Sequence, residues 1–116
     1  MKGKLFLIHW NETEVQEYAR HLSQAGWQVE TESSDGARAG KRIKESLPDV
    51  IVISLSRLPS HGRETADGLR SMNLTRAIPI IFTDGKEDAI AKTRLKVPDA
   101  TYIPSETLNR VLDELK

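Results

Sequence analysis

The sequence predicts one α/β domain in which five parallel strands alternate with helices packed on both faces of the sheet. Three observations carry that prediction. Short apolar runs recur along the 116 residues, separated by stretches with helical spacing. The runs LFLI at 5–8 and VIVISL at 50–55 are apolar at nearly every position, as strands covered on both faces require. The segments between successive runs are long enough for crossover helices rather than tight hairpins. A chain of this length supports one core, so a single domain over 1–116 is expected.

The elements follow in order. After LFLI, Asn11 with Glu14 three residues on reads as a capping box. Val15, Tyr18, Ala19, Leu22 and Ala25 then recur at helical spacing, and Gly26 stops the helix. WQVETE at 27–32 is a second, more polar strand that belongs near a sheet edge. SSDG at 33–36 is a turn and helix start, leading to Ala39, Ile43 and Leu47, and Pro48 ends that helix. VIVISL is the third strand. LPSHG reads as a loop before a weaker helix through Thr65, Ala66, Leu69 and Met72. IPIIF at 78–82 is the fourth strand and TDG its exit turn. A short helix spans 87–97, and ATYI at 100–103 is the fifth strand. Ser105 then caps a helix carrying Leu108, Val111, Leu112 and Leu115.

Composition removes several classes of function. Lys plus Arg number 17 against 17 Asp plus Glu, without the basic excess of a nucleic-acid or membrane-surface protein. There is no cysteine, hence no disulfide framework, thiolate nucleophile or cysteine metal site. No apolar run approaches the length needed to span a bilayer, and the N-terminus lacks a signal-peptide core. The expectation is a cytoplasmic protein with no nucleic-acid or membrane partner.

In parallel sheets of this kind the functional crevice lies outside the carboxyl ends of the strands. That rule directs attention to His9 and Trp10, Ser54 to Arg57, Thr83 and Asp84, and Pro104 and Ser105. KLFLIHWNE, PDVIVISLSRLPSHG, IPIIFTDG and DATYIPS occupy these places, and together with the element order they resemble the receiver domain of bacterial two-component response regulators (CheY-like) over essentially the whole chain. The resemblance implies a flavodoxin-like (βα)5 fold. It also implies a magnesium-binding acid pair after the first strand and a phosphorylatable Asp ending the third. A Thr or Ser after the fourth strand and a Lys after the fifth complete the set. By that resemblance the acid pair falls on His9 and Trp10, the phosphoacceptor on Ser54 and the lysine on Ser105. The fourth-strand position is Thr83 by residue type or Asp84 by spacing, with Thr83 favoured; Tyr102 matches a switch aromatic.

Four of those five chemical positions depart from the pattern. Mg²⁺ wants oxygen ligands in octahedral array, whereas an indole offers none and an imidazole suits softer metals. A serine needs a base before it becomes a nucleophile. Without the lysine and the metal, nothing neutralises phosphoryl charge during transfer. The expectation is therefore a degenerate pseudo-receiver: no enzyme, no cofactor, no bound metal, acting through a protein partner in signalling or as a homodimer.

Other readings compete. Ser54 as a hydrolase nucleophile, with His9 or His61 as base and Asp84 behind, lacks the G-x-S-x-G elbow. His9, His61 and Asp84 as a transition-metal set lack a local ligand motif, leaving partly exposed loop histidines as the plainer reading. Gly62 and Arg63 near a predicted helix start form a candidate anion site. Glu12 is a candidate replacement for the missing acids. A flavodoxin-like domain binding a metal, anion or metabolite at the same edge is the alternative function. Trp10 either fills the former metal pocket or stands partly exposed as a binding anchor. Lys92, Arg94 and Lys96 lie beside Tyr102 on what the resemblance makes the partner face.

Overall fold

The computed structural model of the protein describes residues 2–115. Five strands, β1 (Gly3–Ile8), β2 (Trp27–Glu32), β3 (Val50–Ser54), β4 (Ile80–Thr83) and β5 (Thr101–Ile103), form one wholly parallel sheet in the order β2-β1-β3-β4-β5. The order reverses between β1 and β3, which places the predicted crevice at the ends of those two strands. Between the strands run α1 (Glu12–Gln24), α2 (Gly36–Ser46), α3 (Pro59–Arg70) and α4 (Glu87–Lys96), and α5 (Leu108–Glu114) closes the chain.

Strand alternation sorts the core into two layers. Phe6, Ile8, Ile51, Ile53, Ile80 and Phe82 pack with residues of α2 and α3 and with Val97 at the end of α4. Leu5, Leu7, Val50, Val52 and Ile81 pack with Val15 and Leu22 of α1 and with Leu108 and Leu112 of α5. Because side chains alternate across the pleat, both faces of the inner strands must be apolar, and that is why these runs are continuous.

Four local expectations need correction. Asn11 caps α1 by accepting the Glu14 amide at 2.9 Å, but the Glu14 side chain does not return to complete the box; it turns to His9 and Arg57. α3 starts at Pro59 rather than after the glycine, since proline suits the first helical position. β4 starts two residues late because Pro79 has no amide to donate, although its carbonyl accepts from Ile51. Ser105 begins a single 3-10 turn (Ser105–Thr107) and caps nothing through its side chain.

β2 is an edge strand, as its polarity suggests. Its outer carbonyl at Thr31 accepts a 2.7 Å hydrogen bond from Arg42 of α2, whose guanidinium also meets Glu30 and lies 5.3 Å from the Phe6 ring.

Candidate functional site

The carboxyl ends of β1, β3, β4 and β5 bring His9, Trp10, Ser54, Thr83, Asp84 and Ser105 to one edge, as expected of a parallel sheet with this register. Each is held by neighbours within the chain. Ser54 is buried and ends β3 opposite Thr83, also buried. Its hydroxyl lies 2.8 Å from that of Ser56 and accepts the Ser56 amide at 3.2 Å, a local serine turn. Asp84 adopts a left-handed backbone conformation (φ 61°) just past β4. From there its carboxylate accepts the Ser105 amide at 2.9 Å, tying the β4 exit to the β5 exit.

His9 is not a partly exposed loop histidine: only 2 % of it is accessible. Its Nε2 lies 2.7 Å from Glu14 Oε1, and its ring meets Tyr18 at 5.2 Å. The other Glu14 oxygen accepts from Arg57 at 2.5 Å. The hydrogen bonds of Arg57 first and His9 second hold the Glu14 carboxyl below its ordinary range.

Trp10 is also buried, at 8 % exposure, and belongs to the core layer under α2 and α3. The indole lies beside Gly36 of α2 and Gly62 of α3, where a Cβ would come within 3.9 Å and 3.7 Å of it. His61 rests 5.8 Å from its ring. Burial to this extent rules out an exposed anchor as the role of this side chain. Its Nε1 has no hydrogen-bond partner among the described residues, a cost that the packing must offset.

The proposed anion site does not form. With α3 starting at Pro59, Gly62 lies inside the helix, where its missing Cβ makes room for Ile53; an added Cβ would sit 2.8 Å from the Ile53 methyl. Arg63 reaches across to Thr93 of α4 at 3.3 Å. The transition-metal set does not assemble either. His9 is bound to Glu14, His61 lies against Trp10 and Asp84 is bound to Ser105. Among the described residues no three His, Asp or Glu side chains are grouped to hold an ion. Glu12, the candidate replacement acid, accepts from Ser33.

Tyr102 stacks on Phe82 at 5.0 Å and donates to the Val97 carbonyl at 2.8 Å, with Arg94 4.6 Å from its ring. Burial pushes its phenol pKa up; Arg94 opposes the shift and Asp99 adds to it.

The strand-end rule led to His9, Ser54, Asp84 and Ser105, but not to the carboxylate that joins His9 to Arg57. Glu14 and Arg57 meet across 43 residues of chain, which no local pattern announces. Glu32 ends β2, buried, and receives Arg38 at 2.8 Å on both oxygens and the amides of Ser34 and Asp35 at 3.1 Å. Arg38 chiefly, with those amides and against the effect of burial, lowers its pKa to about 2. An acid at the end of a strand, followed by a serine turn, is the only signal it leaves.

No protein-family model matches the chain, and no curated protein does. Solved structures match over nearly its full length. Chemotaxis protein CheY4 of Vibrio cholerae aligns with a TM-score of 0.81 and 20% identity, covering 97% of this chain and 98% of that one. The fold is that of a receiver domain. A receiver domain of Methylobacillus flagellatus gives a TM-score of 0.80 at 13% identity, again over 97% and 98%. The receiver domain of a Pseudomonas aeruginosa sensor histidine kinase gives 0.76 at 21% identity, over 97% and 95%, and carries a magnesium ion in its active-site cleft.

In this receiver fold the donors at the equivalent edge do not fit magnesium. Where the acid pair and the phosphoacceptor would stand they are an imidazole, an indole and a serine hydroxyl bonded to a second one; Glu14 is shared between His9 and Arg57, and the Asp84 carboxylate, past β4, accepts the Ser105 amide. A hard divalent cation needs free oxygen donors, carboxylates above all. Among the described residues no helix is long and apolar enough to cross a membrane.

Proposed function

We propose that this chain is a phosphorylation-independent pseudo-receiver: a receiver-fold module that acts by binding a protein partner in a two-component-like signalling pathway, without catalysis of its own. The observation that supports this most is the hydrogen-bonding of the edge. Ser54 stands where the resemblance places an acid, and its hydroxyl is engaged by Ser56. The carboxylates nearest the edge, Glu14 and Asp84, are held by Arg57, His9 and the Ser105 amide. Phosphoryl transfer to a receiver needs a carboxylate nucleophile at the end of β3, and Ser54 supplies only a hydroxyl there, already bonded to Ser56.

A partner surface then becomes the functional element. The resemblance points to the face of α4, β5 and α5. There Tyr102 lies beneath Arg94, and Leu95 is 85 % exposed. An aromatic with a polar tip, an arginine and an exposed leucine are residue types suited to protein contact.

The test is incubation with acetyl phosphate and Mg²⁺ followed by intact-mass measurement. No phosphate adduct is expected under conditions that fully modify an authentic receiver. A stoichiometric phosphate on this chain would overturn the proposal.

A further inference from the structure

Arg57 and Leu58 sit side by side in the loop that joins β3 to α3, and neither has an explanation in packing. Leu58 adopts a left-handed conformation (φ 43°, ψ 57°), which is unfavourable for a residue with a Cβ. Its side chain is 55 % exposed, so its own burial does not offset that strain. Hydrogen bonds from Ser56 to Ser54 and from His61 to the Leu58 carbonyl fix the two ends of the loop. The Arg57 guanidinium reaches out of it to Glu14 of α1 at 2.5 Å.

An exposed ion pair by itself contributes little, because two long side chains must be ordered to make it. Here one partner is ordered in advance. The Glu14 amide is fixed to the Asn11 cap, and its second oxygen is held by the buried His9 ring at 2.7 Å. His9 thus aims the carboxylate, and Arg57 closes on it from above. The Arg57 side chain is itself 51 % exposed, so water and ions reach the outer half of the pair.

We propose that Arg57 is a latch: its pair with the His9-aimed Glu14 carboxylate holds the strained β3–α3 loop shut against α1, and breaking that pair opens the loop while the sheet stays intact. The trio replaces nothing in the core. Leu55 remains tied to β4 through the Thr83 carbonyl, so the hinge lies between Leu55 and the first turn of α3.

Hydrogen exchange read by mass spectrometry on the full chain tests this. In Arg57→Gln and in Glu14→Gln, the hydrogen-bonded amides of the loop, those of Ser56 and His61, should exchange about threefold to fivefold faster, as loss of an oriented pair predicts, with β1, β3 and β4 unchanged. Half-molar sodium chloride should accelerate the same amides in the unmodified protein, which covers the case of a variant that fails to fold. Unchanged loop exchange in both variants and in salt would overturn the latch. So would acceleration spread evenly over every strand, since that would mark general destabilisation.

Discussion

Glu32 offers a test in which a pH dependence and a substitution must agree. Its carboxyl titrates at about 2 in the fold against an ordinary value of 4.5. A group whose folded pKa is depressed contributes stability that is fully present above the unfolded value and is lost as pH falls through the folded one. The window therefore runs from about pH 4.5 down to about pH 2. The fall in pKa corresponds to roughly 3 kcal/mol at neutral pH. The Arg38 side chain opposite is 55 % exposed, and solvent screening cuts the useful part to about 2 kcal/mol. In Glu32→Gln an amide oxygen still faces the Ser34 and Asp35 amides, but the charge for Arg38 is gone. Urea denaturation of both proteins at pH 7, 5 and 3 is the assay. Glu32→Gln should be less stable by about 2 kcal/mol at pH 7, and the gap should shrink by more than half between pH 5 and pH 3. A gap that stays constant over that range would refute the reasoning, because the loss would then have nothing to do with ionisation.

Two further predictions follow from steric and electrostatic detail. Gly62→Ala forces a Cβ against Ile53 and should cost about 1–3 kcal/mol, whereas Gly68→Ala in the same helix meets open space and should stabilise by about 0.5–1 kcal/mol; thermal melts distinguish them. Ser54→Asp places a carboxylate in a buried position with no cation in contact, so chemical denaturation should show a loss of about 2 kcal/mol or more, and a stability equal to the parent would show that the edge still accommodates an acid.

The strands were legible because burial on both faces leaves no ambiguity. VIVIS at 50–54 and IIF at 80–82 have nowhere polar to point, and β2, with its glutamates and threonine, read correctly as an edge. What escaped the sequence is contact between distant segments. Arg57 falls at the functional edge by its position after β3, but nothing near it in the chain is acidic, and its partner lies on α1. The start of α3 was misplaced because Leu-Pro reads as a turn, and here the turn is compressed into Leu58 itself, with Pro59 already helical. From its place directly after a strand, His9 reads as a partly exposed loop histidine. A histidine that ends a buried strand, five residues before a glutamate on the following helix, carried a fairer signal of burial and pairing.

Arg42 has a wider consequence for assembly. A parallel sheet with two free edges is a template on which other strands can be added, and proteins that avoid this blunt the edges. At one margin here the Thr31 carbonyl is occupied by a guanidinium; at the other the last strand is three residues long. Strand addition has little to grip at either side. A molecule that joins this one is then met by side chains more than by an open strand edge, and the sheet serves as a frame that sets their spacing.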